Sequence, residues 1–83
     1  MEMKEYKRLV RDFLSEYSAK LRMHRCMTQE AMAEALRITC RAYGDLERGK
    51  YCYSAVALLF LLRMLEESER NDFLRVPVAG VQL

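Results

Sequence analysis

The chain has no tryptophan, a single histidine, one proline and three glycines in 83 residues. With 52% hydrophobic and 31% charged residues, that scarcity excludes disordered and collagen-like classes and leaves a helical globular protein. Three cysteines, at 26, 40 and 52, form no C-x-x-C pair. Their odd count and wide gaps argue against a disulfide scaffold and fit a reducing, cytoplasmic setting, with each thiol packing as a small hydrophobe. His24 and Cys26 make one H-x-C pair, but a structural zinc site usually needs four ligands, so neither metal nor cofactor is expected. With one histidine, no carboxylate cluster and no Gly-rich phosphate loop, the chain offers no assembled catalytic site, and an enzyme is not expected. Long apolar runs are missing too. The longest uncharged stretch, Tyr51 to Leu62, falls short of the ~20 residues of a membrane span. Seven charges between Met1 and Phe13 leave no room for the apolar region of a secretory signal.

What is present suits one small domain with a thin core. A chain of this length buries only about two-thirds of its unfolded surface, so surplus apolar residues point to a partner. The formal net charge is +2, unevenly distributed. Residues 1–25 carry +3, residues 26–50 balance, and residues 51–83 carry −1. A basic front half suits a polyanion better than an acidic partner.

Periodicity divides the chain into five helices. Tyr6, Leu9, Val10, Phe13, Leu14, Tyr17 and Leu21 recur at three- and four-residue steps, predicting an amphipathic helix from near Met3 to near His24. Thr28 is a natural N-cap for a short helix over 29–36, and Thr39 for another over 40–47 that Gly49 can terminate. Ser54 caps a fourth helix, Ala55 to about Glu66. Its run Ala55 to Leu62 is apolar on every face, which predicts burial all round. A last helix near Ser68 to Leu74 would set Phe73 and Leu74 against the core. Pro77 then breaks the chain into a short, extended tail containing Val76, Val78 and Val81.

Two short helices joined by a three- or four-residue turn form a helix-turn-helix. Around it, Leu21-Arg22-x-x-Arg25, Thr28-Gln29-Glu30 with Ala33, the turn residue Ile38, and Glu47-Arg48-Gly49-Lys50 follow one another in order. This succession resembles the Xre/Cro-type, lambda-repressor-like family of DNA-binding proteins over about residues 17–74. The resemblance implies an all-α, compact five-helix domain over 1–75 with its helix-turn-helix core at 28–50, a long first helix, and a C-terminal tail at 76–83. It also implies a transcriptional regulator, repressor-like, binding double-stranded DNA. The apolar surplus of the fourth helix adds the expectation of a homodimer, the alternative being that the long first helix and the tail cover it within one chain.

The family pattern and the chemistry together nominate a site. Helix N-termini bind phosphate through free N–H groups, and Gln29, Thr39, Arg48, Lys50 and Arg25 are the expected phosphate contacts. Lys20 and Arg22 are further cations of the first helix within reach of flanking phosphates. Base reading falls to the front of helix 40–47. Arg41 can pair bidentately with guanine, while Cys40 and Asp45 occupy positions where the family places base contacts. Neither is a versatile reader, and Asp45 repels nearby phosphates. Cys40, at a helix N-terminus, is also a candidate for oxidation that would block DNA. Arg37 stands where the family usually has Gly, so it must either alter the turn or accept a strain of about 1 kcal/mol. Val56, Phe60 and Leu62 are the expected dimer interface. The competing expectation is a protein-interaction module of the same fold, such as an antitoxin-like partner, with weak or no DNA binding.

Overall fold

The structure is a computed structural model that describes residues 2–75. Five helices follow in order: α1 (Met3–His24), α2 (Gln29–Leu36), α3 (Cys40–Glu47), α4 (Ala55–Met64) and α5 (Glu67–Arg75). No strand occurs among the described residues. The expected tail, 76–83, lies outside them.

Local chemistry sets the helix starts. The hydroxyls of Thr28, Thr39 and Ser54 accept the N–H groups of Ala31, Ala42 and Ala57 at 3.0, 3.0 and 3.1 Å. Each thereby satisfies one of the donors that a helix N-terminus leaves free. At α5 the Glu69 carboxylate reaches back to the Glu66 N–H at 2.9 Å, as the acidic half of a capping box does.

Three helices end in the same way. After α1, α2 and α3 one residue turns left-handed: Cys26 at φ 54°, Arg37 at φ 63° and Gly49 at φ 74°. In each case its N–H and the next one bond back to two of the last helical carbonyls. Cys26 and Met27 use Met23 and Arg22, Arg37 and Ile38 use Glu34 and Ala33, and Gly49 and Lys50 use Leu46 and Asp45. These are Schellman terminations, which favour glycine at the left-handed residue. Only one of the three positions has it. Of the two options open to Arg37, the chain adopts the left-handed one.

The core gathers Leu14 and Leu21 of α1, Met32, Ala33 and Leu36 of α2, and Tyr43 and Leu46 of α3. Tyr53, Ala57, Leu61, Leu65 and Phe73 close it from the C-terminal side. Small Ala33 lets α2 lie close to its neighbours. Phe13, Tyr17 and Phe73 form an aromatic triangle between α1 and α5, with ring centroids 4.9–5.6 Å apart. One polar side chain, Ser18, is fully buried. Its hydroxyl donates to the Leu14 carbonyl at 2.7 Å and is left to accept from the Tyr53 hydroxyl.

Several packing expectations need correction, among them that of the cysteines, since Cys26, Cys40 and Cys52 are all exposed rather than packed as small hydrophobes. The apolar run of α4 is not enclosed: Ala57 and Leu61 are buried, whereas Val56 and Leu59 remain 63% and 56% exposed. One face of the helix meets the core, and no described element lies over the other. The helix also stops at Met64, because Leu65 turns extended at ψ 144° to bury its side chain. In α5 only Phe73 enters the core. Leu74 is 59% exposed, since neighbours on a helix point about 100° apart and cannot share one face. The N-terminal turns of α1 likewise overhang the core, leaving Leu9 exposed.

Candidate nucleic-acid interface

A polar hub centred on Glu47, the last residue of α3, joins the first three helices. Its carboxylate takes a two-pronged ion pair from Arg22, with Nε at 2.9 Å and Nη2 at 2.8 Å. The Tyr43 hydroxyl donates to it at 2.5 Å and the Gln29 amide at 3.2 Å. A further Arg22 nitrogen donates to the Met27 carbonyl at 3.1 Å, at the entry to α2. The Arg22 hydrogen bond does most to hold the Glu47 carboxyl down at about 2, although partial burial opposes it. Burial and the bond to Glu47 push the Tyr43 phenol well above its ordinary value. Alongside, Ser15 of α1 donates to the Glu47 carbonyl at 2.7 Å. The orientation of α3 against α1 and α2 is therefore held by one carboxylate with three side-chain donors.

Outward from this hub α3 and its C-cap present Cys40, Arg41 and Arg48, all exposed. Between the two arginines Gly44 has no side chain, and the Arg48 guanidinium and the Gln29 amide lie over it. A Cβ added there would sit 3.2 Å from Arg48 Nη1 and 3.9 Å from Gln29 Oε1. The capped N-termini of α2 and α3 each retain free N–H groups in the first turn. Gln29 and Thr39 sit at these ends, with the Thr39 hydroxyl engaged by Ala42. Arg41, Cys40, Thr39, Gln29 and Arg48 thus belong to two neighbouring helix ends and one helix face.

Other nominated residues lie elsewhere. The Asp45 side chain is only 13% exposed, pairs with Arg48, and lines an apolar recess with Ile38, Ala42 and Leu46. It does not project with Arg41, which removes it from the base-reading face. Arg25 is half-buried, donating to Glu69 at 2.8 Å and to the Met64 carbonyl at 2.9 Å. It clasps the end of α1 to the end of α4 and the start of α5, so phosphate contact is not its evident role. Glu69 is held below the usual carboxylate range, first by the Glu66 N–H and further by Arg25. Among the three interface candidates Val56 alone is well exposed. Phe60 and Leu62 pack partly on the core, and the Arg37 guanidinium lies 5.1 Å from the Phe60 ring centroid. The partner of Val56 along the exposed edge is Leu59, one helical turn on.

Lys50 belongs to a different neighbourhood. Its ammonium lies 5.4 Å from the Tyr51 ring centroid, and both residues line a cleft of about 460 Å³ against the N-terminal half of α1. Lys4, Lys7, Arg8 and Arg11 form the opposite wall, with Glu5 the one acidic residue. In the sequence these four cations belong to the polar face of the first helix, and their steps of three, one and three put them on one helical stripe, apart from the expected phosphate contacts. Among the described residues no three His, Cys, Asp or Glu side chains gather as a metal site, and no helix is long and apolar enough to cross a membrane.

Comparison with protein-family models, with curated proteins and with solved structures gives no match to this chain.

Proposed function

We propose that the protein is a sequence-specific double-stranded DNA-binding regulator of transcription, repressor-like, built on a helix-turn-helix of the Xre/Cro, lambda-repressor-like type. The observation that carries this reading is the joint display of Arg41, Arg48 and Gln29 with the capped N-termini of α2 and α3. Free N–H groups and positive helix ends suit phosphates, and an exposed arginine beside them suits the guanine edge in the major groove. In this reading Arg41 reads bases, with Cys40 beside it offering an apolar or weak polar contact. Gln29, Thr39, Arg48 and Lys50 hold the backbone and set the register. Such work belongs to the cytoplasm.

A homodimer accompanies the proposal. The exposed apolar edge of Val56 and Leu59 on α4 is the surface we assign to the second copy. Two-fold pairing would set two recognition helices about 34–36 Å apart on a palindromic site. The same edge is what an antitoxin-like interaction module would use, so DNA binding itself must decide.

The test is selection of bound sequences from a random duplex pool, followed by affinity measurement on the winner. Arg41→Ala should cost about 1–3 kcal/mol and relax selectivity at one base position. Failure of the wild-type chain to enrich any duplex would end the DNA reading and leave the interaction module.

A further inference from the structure

The fourteen Lys and Arg residues of the chain are not equally available. Arg22 and Arg25 are held by Glu47 and Glu69. Arg70 donates to the Leu65 carbonyl, Arg37 covers Phe60 and bonds to the Glu34 carbonyl, and Arg48 pairs with Asp45. The cations expected to flank a DNA site from the C-terminal half of α1 are therefore mostly occupied. In the N-terminal half the situation reverses. Lys4, Lys7 and Arg8 are exposed, and with Arg11 and Lys50 they line one cleft. Arg11 alone of these has an acidic partner, a long contact of 3.3 Å to neighbouring Asp12.

Position gives the cleft its meaning. Ser15 fixes where the end of α3 meets α1, through its bond to the Glu47 carbonyl. Arg11 and Lys4 lie four and eleven residues before it, hence about 6 and 16 Å further along the helix at 1.5 Å per residue. After Gly49 the chain runs along this same stretch, and the Tyr51 ring holds the Lys50 ammonium at the cleft. The basic wall thus begins where the α3 surface ends.

We infer that this cleft is a second backbone-binding site, taking the phosphates of duplex DNA that flank the base-reading contacts. The inference rests on the DNA reading above and extends it by a strip of DNA two to five base pairs long, at 3.4 Å per step. Charge complementarity carries it: five cations against one carboxylate, open to solvent and tied to the end of α3 through Lys50, whose N–H bonds to the Asp45 carbonyl. A small polyphosphate would satisfy the same cations too, and the experiment separates the two.

The selected operator is cut as a 20-bp duplex and as a shorter duplex trimmed to the base-reading core. Binding of both is followed by fluorescence anisotropy across a salt series. On the long duplex the triple variant Lys4→Gln, Lys7→Gln, Arg8→Gln should bind about tenfold more weakly at 0.15 M salt, its log–log slope shallower by about 1–2. On the trimmed duplex wild type and variant should coincide. The charge-conserving variant Lys4→Arg, Lys7→Arg, Arg8→Lys should behave as wild type on both, which separates charge from helix damage. An unchanged slope on the long duplex, with Arg41→Ala still impaired, overturns the inference and leaves the DNA reading intact. Equal losses on both duplexes overturn it as well, as does saturable tripolyphosphate binding lost in the triple variant while its DNA binding persists. Absence of wild-type binding to any duplex ends both.

Discussion

At the scale of single residues, Glu47 shows how much one side chain can hold. Its carboxylate accepts from Arg22, Tyr43 and Gln29, groups from three helices, and its own carbonyl accepts from Ser15. Because its pKa falls from the ordinary value to about 2 on folding, the unfolded chain takes up its proton first as the solution is acidified. The stability that Glu47 contributes is therefore complete above pH ~4.5 and lost as pH falls toward 2. After allowance for solvent near the pair, this amounts to about 2 kcal/mol. Urea midpoints measured between pH 6 and 2 should fall across that window, and Glu47→Gln should start lower by a similar amount and fall less steeply. An equal slope in both proteins would show that other carboxylates dominate the acid limb. Tyr53 acts at the opposite end. Burial pushes its phenol up to about 12, so its contribution is complete below pH ~10 and lost as pH rises toward 12. The hub was only half legible in the sequence. Glu47 stood out as part of Glu47-Arg48-Gly49-Lys50, but nothing local links it to Arg22, 25 residues earlier. Asp45 was misjudged for a related reason, since its turn toward Arg48 and the apolar recess depends on where Leu46 and Ala57 pack.

At the scale of elements, what could be read ahead of the structure was governed by short-range chemistry. Thr28, Thr39 and Ser54 bond to N–H groups three residues on, so the starts of α2, α3 and α4 follow from a few adjacent residues. Helix ends were less plain, because a Schellman turn advertises itself by glycine and two of the three here lack it. Cys26 and Arg37 carry the left-handed conformation at a cost of about 1 kcal/mol each. Relief of that strain is measurable. Cys26 is exposed, so Cys26→Gly should raise stability by about 0.5–1 kcal/mol in thermal or urea unfolding, net of the extra freedom of the unfolded chain. Cys26→Ala should give no such gain, and parity between the two would refute the strain argument. The apolar run of α4 illustrates the opposite limit. A helix apolar on all sides has no periodic signal to say which face turns inward, and only packing selects Ala57 and Leu61 over Val56 and Leu59.

At the scale of the whole molecule, so short a chain can enclose only part of its apolar surface. Part of the excess surfaces on α4, where Val56 and Leu59 lie side by side along one exposed edge. If a second copy covers it, Leu59→Asp should convert a dimer to a monomer in sedimentation at micromolar concentration. Its core should survive, because Leu59 points away from it, and unfolding should remain cooperative. A wild-type chain that sediments as a monomer throughout would remove the dimer. The basic cleft and this apolar edge involve different helices, α1 and α4, so charge and oligomer variants can be examined independently.

Gly44 has a consequence that extends past the present sequence. Positions 40 and 41 face outward and take no part in the Glu47 hub, while Gly44 leaves space for Arg48 and Gln29 to lie across the helix. The scaffold and the outward-facing letters of α3 are thereby written in separate residues. On the proposed DNA reading, exchanging Cys40 and Arg41 as a pair would change what the surface recognises and leave the framework behind it untouched. In this way a lineage, or a designer, can give the same small body a new address.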